Sequence, residues 1–368
     1  MKFSCEAQVL LGGLSIVTRV LSARTTQPIL EGVLVKTTDE GLQLTCSDGA
    51  ISVLTTVPAQ ISEEGTVVMP GKLFLDVVRK MPQAQLKVTV NEHWVAKLSS
   101  QGVRMTLSGQ AGELYPSLPL VSAENSFVLP QTLLRDMIQQ TSFAIAVEDP
   151  RKVLNGCLLE LDNGEARMVA LDGFRLALRL ARVGAEAPSL KAIIPSKAVT
   201  EIARVLEGDE NKMAMVLIGG NQLLMNLENT QLYATLIEGE YINYRQILPG
   251  SWQTRVTFDR DQLAMCVERC SLIAREGKNN LIRMEIGQGR MVITSNAENG
   301  EAYEELEAEV EGDDLTIAFN VTYVSDILRV LPEGRHYMRF NSPVSPCVVC
   351  PTEGDDFLYL MLPVRVNA

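Results

Sequence analysis

The sequence predicts an α+β protein made of three tandem copies of one domain, and three observations carry that prediction. A chain of 368 residues exceeds what one hydrophobic core usually serves, so two or three domains are expected. The stretch 153–183, VLNGCLLELDNGEARMVALDGFRLALRLARV, recurs as ILEGVLVKTTDEGLQLTCSDGAISVLTTV and as NNLIRMEIGQGRMVITSNAENGEAYEEL, placing Asp48, Asp172 and Asn296 124 residues apart. Pro70, Pro195 and Asn320, each at the entry of a helical pattern, then stand 125 residues apart. The two landmarks are independent, and both return the same three copies.

Each copy reads as two halves, each an amphipathic helix followed by strands. In the first copy, 7–21 carries Leu10, Leu14, Val17 and Leu21 at helical spacing, and 71–81 carries Leu73, Val77, Val78 and Met81. The second copy repeats this at 131–141, with Leu134, Met137 and Ile138, and at 196–206, with Val199, Ile202, Ala203 and Leu206. The third has helices at 261–274 and 321–331. A proline at a helix start suits the donor that is missing there. Within 153–183, Asp162, Asn163 and Gly164 join two apolar strands, and Asp172-Gly173 turns into a third. Elsewhere QLKVTV, RMTLSG, and MAMVLI with QLLMNL around Gly219, Gly220 and Asn221 alternate as strands do.

Short turn-rich linkers at 119–126 and 249–254 separate the expected domains 1–121, 126–248 and 251–368. Six helix-plus-strand units imply helices and sheets in separate layers. The end strands of such an array are open to pairing, and head-to-tail association closing a ring is one solution.

With 46% hydrophobic and 21% charged residues, the chain buries sizeable cores and is not a disordered type. A net charge of −12 argues against binding nucleic acid over the whole surface but leaves room for one basic face. Many cations fall on or beside the predicted helices: Arg19, Arg24, Lys72, Arg79, Lys80, Arg135, Arg151, Lys152, Lys197, Arg204, Arg269, Arg275, Lys278 and Arg329. They form either a solvated helix face or a basic lining. Seven scattered cysteines make no disulfide framework and read as small buried hydrophobes of a reducing compartment. The N-terminal run lacks a long apolar core and no stretch approaches 18 apolar residues, so a cytoplasmic protein without membrane contact is expected.

No catalytic constellation stands out. His93 and His336 lie beside no nucleophile pattern and read as surface or hairpin residues. A Walker loop, a dinucleotide fingerprint and an HExxH are all missing, and GQG at 287–289 reads as a hairpin turn. Cys347 and Cys350 form a CxxC, but on a strand i and i+3 point to opposite faces, so the thiols do not converge. Cys266 and Cys270 share a helix face without further ligands. The acidic run 298–314 holds Glu301, Glu304, Glu305, Glu307, Glu309 and Glu311, read as a solvated or salt-bridging strand face. No metal, cofactor or catalytic residue is assigned, and the chain is not expected to be an enzyme. Two other classes stay open: a repeat-built hydrolase using that acidic run, and a scaffold that binds peptides but not DNA.

Four segments, ALDGFRLA (170–177), EGEYINYRQILP (238–249), FNVTYVSDIL (319–328) and YLMLPVRV (359–366), resemble the bacterial DNA polymerase III beta subunit, the DNA sliding clamp family. The resemblance runs along the whole chain, threefold repeat included. It implies three clamp domains per chain and a homodimeric ring with helices lining the hole and sheets outside. The ring would encircle duplex DNA without sequence specificity, opened by an ATP-dependent clamp loader. Replicative and other DNA polymerases, and repair proteins with short clamp-binding peptides, would ride on it.

The resemblance also implies sites. A hydrophobic pocket for partner peptides would draw Leu154, Leu171, Gly173, Phe174, Arg175 and Leu176 from the central copy, with Ile242, Gln246 and Ile247 after it. The third copy would add Asn320, Tyr323, Val344, Pro346, Leu362, Pro363, Val364 and Arg365. Phe174, Ile242 and Gln246 stand where the family often has His, Pro and Arg. Arg24, Arg151 and Lys152 match positions that approach DNA, with Lys72 and Lys197 related to them by the repeat. At the subunit interface Met105 and Leu107 would face Leu272 and Ile273, with first-domain cations near Glu301, Glu304 or Glu305.

Overall fold

In a computed structural model the structure describes residues 1–21, 26–123, 125–184, 187–277 and 280–365. Arg24 and Lys278, two of the cations named above, lie outside the described residues. The α-helices fall where the periodicity put them: α1 Ala7–Val17, α2 Gly71–Lys80, α3 Gln131–Gln139, α4 Ser196–Val205, α5 Arg260–Ala274 and α6 Val321–Val330. Helix α1 stops short of the expected end because the chain tightens after Val17 into a 3-10 turn, Thr18–Val20. The Thr18 hydroxyl donates to the Leu14 carbonyl at 2.7 Å and ties that turn down.

Helices α2, α4 and α6 follow Pro70, Pro195 and Asn320 directly. Proline has no N–H to leave unpaired, and the Asn320 side chain instead accepts the Thr322 N–H at 2.9 Å. These three helices also share an ion pair that periodicity alone does not reveal. Asp76–Arg79 (2.6 Å), Glu201–Arg204 (2.7 Å) and Asp326–Arg329 (3.1 Å) each join an acid to the arginine one turn on. The pairs stand 125 residues apart, in register with the helix entries.

The chain divides into two compact units, residues 1–132 with 200–236 and residues 133–199 with 237–368. The division follows the sheets rather than the repeats. In the first unit, a nine-stranded antiparallel sheet runs from Gln110–Ala111 to Asn125–Pro130. First-repeat strand Ile51–Val57 pairs there with central-repeat strand Thr230–Thr235, setting Val53 opposite Leu232. The Thr55 and Thr230 hydroxyls meet across this seam at 2.9 Å. A second sheet has five strands and ends on the edge strand Val103–Ser108. Helix α1 packs on strands Gly41–Ser47 and Ile51–Val57 and against α2.

The second unit repeats this plan. Its nine-stranded sheet joins central-repeat strand Arg175–Arg182 to third-repeat strand Phe357–Met361, with Leu176 opposite Leu360. Its smaller sheet has four strands and ends on Gly300–Glu307. Helix α5 covers that sheet and packs on α6.

The repeat holds at atomic detail in two copies. The Asp48 Oδ1 accepts from the Ala50 and Ile51 amides, and the Asp172 Oδ1 accepts from the Phe174 and Arg175 amides. In both turns the next residue is a glycine at φ near +90°, Gly49 at 93° and Gly173 at 92°, a conformation a side chain would strain. Asn296 does not make this turn; it stays in strand Arg290–Ala297, opposite Glu301.

One expectation is corrected. His336 is no surface residue: it is buried in strand Arg335–Phe340 between the Phe258 and Phe357 rings, its Nε2 2.9 Å from the Pro332 carbonyl oxygen. An imidazole with one backbone partner and two aromatic neighbours is a packing residue. All seven cysteines are buried and free, and no cluster able to hold a metal is present among the described residues. The acidic run pairs outward, Glu304 to Arg269, Glu305 to Arg290, Glu309 to Arg335 and Glu311 to Arg255. No helix among the described residues is long and apolar enough to cross a membrane.

Candidate functional site

Within the second unit, the strand following the Asp172-Gly173 turn brings central-repeat and third-repeat side chains into one apolar cluster. Leu154, Leu158, Leu171, Leu176, Val348 and Leu360 are buried in it, with half-buried Ile242, Leu248 and Leu362 packed against them. The cluster arises because strand residues two apart share a face, so Leu176 and Leu178 both look onto it. Leu154, Leu171 and Leu176 thus form the floor, and Ile242 and Leu362 stand at its edge.

Phe174 is the most exposed apolar member of the turn, 59% open. It is rigidly presented all the same. Its amide donates to Asp172, its carbonyl accepts from the Leu362 N–H at 2.8 Å, and its ring stacks on Tyr323 at 6.3 Å. The Val364 N–H donates to the Ala318 carbonyl at 2.8 Å, so the 362–364 segment is strapped at both ends. Burial, and then the nearby Asp172 carboxylate, push the Tyr323 hydroxyl up, with Arg175 opposing.

Arg175 is committed inside the protein. Its Nε donates to Asp172 at 3.0 Å and its Nη1 to Asp326 on α6 at 2.6 Å, while the guanidinium lies 4.6 Å from the Tyr323 ring and 5.5 Å from that of Phe143. It holds the walls rather than reaching out for a ligand. Asn320, expected in the pocket, spends its side chain capping α6.

Val344 and Ile247 are exposed, as are Gln246 and Arg365, and Pro346 and Pro363 are half-buried. Ile247 follows the 3-10 turn Tyr244–Gln246. Beneath that turn is Glu160, which no sequence pattern singled out: its carboxylate accepts from the Tyr244 hydroxyl at 2.8 Å, Arg245 at 2.6 Å and Lys191 at 3.2 Å. Burial opposes its ionisation, but Arg245, Tyr244 and Lys191 together hold it down at about 2. The same bond helps push the Tyr244 hydroxyl, raised first by its burial, up to about 12.

Of the cations matched to DNA-approaching positions, Arg151 is bound through two nitrogens to Asp149, both at 3.0 Å. Its guanidinium also lies 3.5 Å from where a Cβ on Gly173 would be, so it borders the apolar site. Lys152 opens the 3-10 turn Lys152–Asn155, and Lys197 is exposed on α4. In the first unit Lys72 lines a cleft of about 620 Å³ with Glu31 and Leu73. Of the expected interface residues, Met105 and Leu272 are exposed, but Leu107 is buried within its own chain. Glu304 and Glu305 already hold arginines of their own chain.

Comparison with known proteins shows the family. Models of the DNA polymerase III beta subunit match the chain throughout, the N-terminal domain over residues 1–119, the central domain over 128–243 and the C-terminal domain over 245–365. The chain belongs to the DNA polymerase III beta subunit family. It is 31% identical to the beta sliding clamp of Halalkalibacterium halodurans over 379 residues, 99% of this chain and 100% of that one. It is 30% identical to that of Staphylococcus aureus, covering 99% of each. Among solved structures, the DNA polymerase sliding clamp from Bacillus subtilis superposes with a TM-score of 0.96 at 28% identity. The Pseudomonas aeruginosa clamp bound to griselimycin does so at 0.94 and 28%; each covers 100% of both chains. The three family domains coincide with the three sequence repeats, which makes this chain a beta sliding clamp of DNA replication by family.

Proposed function

We propose that two copies of this chain close into a ring around duplex DNA, and that short peptides of polymerases and repair proteins dock on the Phe174 cluster. An ATP-dependent loader opens the ring, and the chain itself performs no catalysis. The observation that carries the closure is the pair of incomplete sheets. Each unit holds one nine-stranded sheet that crosses a repeat boundary and one partial sheet, of five strands and of four. Pairing edge strand Val103–Ser108 of one copy with Gly300–Glu307 of another would complete a third sheet of the same size and leave neither edge open.

The peptide reading rests on the apolar cluster, with half-buried Ile242 and Leu362 packed on it, and on the exposure of Phe174, Val344 and Ile247. Burying two apolar anchors there offers roughly 3–6 kcal/mol before ordering costs, which suits partners that bind and exchange. Contacts to DNA fall to phosphate, from Lys72, Lys152 and Lys197 with Arg24 and Arg151. The test loads labelled protein on nicked circular DNA. Retention on the circle in high salt with release on linearisation is the outcome expected; equal retention on both forms would refute the ring.

A further inference from the structure

We propose that Glu160 is a positioning residue of the peptide site, holding the wall segment 241–248 against the apolar floor so that the site's affinity depends on it. The inference rests on the peptide reading just given and adds a residue that lies beneath the binding surface.

Glu160 sits on strand Gly156–Asp162, and residues two apart on a strand share a face. It therefore looks the same way as Leu158, a member of the floor cluster. A carboxylate whose side chain is 5% exposed is an expensive neighbour for an apolar floor unless its oxygens are fully bonded. Lys191, opposite it on strand Leu190–Pro195, supplies one donor. The others, the Tyr244 hydroxyl and the Arg245 guanidinium, both come from the wall.

Tyr244 is buried in the cluster and Tyr241, Ile242 and Leu248 pack on it, but these apolar contacts fix no register and the wall's polar ties are few. Its backbone bonds are local, Gln246 N–H to Asn243 and Ile247 N–H to Tyr244. Among the described residues the polar ties that reach out of it are the Tyr241 hydroxyl to the Val169 carbonyl, at 3.3 Å, and the bonds to Glu160. Arg245 also lies 4.8 Å from the Tyr244 ring, so the two donors brace each other. Ile242, Ile247 and Leu248 ride on this segment. The carboxylate pins the turn Tyr244–Gln246 between them, and so sets how Ile242 and Leu248 sit on the floor cluster.

The test uses the full chain and a fluorescent peptide carrying Leu and Phe anchors, read by polarisation, together with hydrogen exchange of 241–248 in the absence of peptide. Glu160→Gln and Arg245→Met should each weaken the peptide about tenfold, the scale of one missing bond to a charged group, and speed exchange across 241–248. The two changes act on one interaction, so the double variant should be little worse than either alone. Lys191→Met removes a partner of the same carboxylate from outside the wall and should leave affinity within about twofold.

Unchanged affinity and unchanged exchange in Glu160→Gln overturn the proposal. So does an equal loss in Lys191→Met, since the role would then be general stability. If Glu160→Gln does not fold, Arg245→Met and Tyr244→Phe test the same bonds from the wall side. A wild-type chain that ignores the peptide defeats the docking reading, and the exchange measurement still decides whether Glu160 holds the segment.

Discussion

Arg175 and Asp326 are joined by a 2.6 Å ion pair whose side chains are only 12% and 16% exposed. The pair fastens the turn that carries Phe174 to helix α6, which carries Tyr323. Removing one member of an enclosed pair leaves the other charge stranded, but Asp172 still faces Arg175. Asp326→Asn should therefore destabilise by about 1–3 kcal/mol, below the full loss for a buried pair. Urea unfolding measures it, and an unchanged midpoint would show that Asp172 alone satisfies the guanidinium.

Phe174 calls for the opposite outcome. Its ring is largely exposed, so Phe174→Ala should leave the melting temperature nearly unchanged while costing about 1–2 kcal/mol of peptide affinity. Polarisation titration beside a thermal melt separates the two. A large fall in melting temperature would place the ring in the core instead.

The pH dependence of Glu160 follows from its depressed pKa. A carboxylate at about 2 in the folded chain and at the ordinary 4.5 when unfolded contributes stability that is fully present above pH 4.5. The contribution falls as pH drops from 4.5 through about 2. The stability difference between wild type and Glu160→Gln should be level above pH 5 or so and shrink below it, by an amount on the order of 3 kcal/mol. Denaturant unfolding at a series of pH values measures this, and a difference that grows on acidification would contradict it.

Leu272 is 65% exposed on a helix whose buried face is already filled. Replacing Leu272 and Ile273 with Ala should leave the single chain folded yet yield monomer on sedimentation. A double variant that stays dimeric puts the interface elsewhere. Leu107 should be spared in this experiment, because its burial within the chain would mix folding with association.

For DNA, Lys72→Ala with Lys152→Ala should reduce the salt dependence of binding by about 0.9 in log–log slope for each phosphate left unneutralised. Arg79→Ala should do less. That arginine already holds Asp76, and a duplex gains only the difference between two anions.

How much of this was legible beforehand depended on range. Helix periodicity and the 124-residue recurrence lie in the chain itself, and α1 to α6 fell within a few residues of their predicted places. The Asp172-Gly173 turn was visible as a turn, since Asp and Gly carry the needed chemistry side by side. Its second use, aiming one Asp172 oxygen at Arg175, was not. Glu160, Tyr244 and Arg245 meet across 84 and 85 residues, and nothing local marks a carboxylate in an apolar strand as anchored rather than misplaced. The burial of His336 is hidden for the same reason: its aromatic neighbours Phe258 and Phe357 come from other strands. Asn320 caps α6, a role that its position before a helical pattern already suits.

The three ion pairs on α2, α4 and α6 bear on motion as well as charge. Each arginine there keeps a carboxylate of its own one turn back, so a phosphate that came within reach would be exchanged for it by a small swing of one side chain between two acceptors of like kind. If these helices face the duplex, no station along it is much deeper than the next. A duplex would then slide past each of these helices without being held fast at any of them.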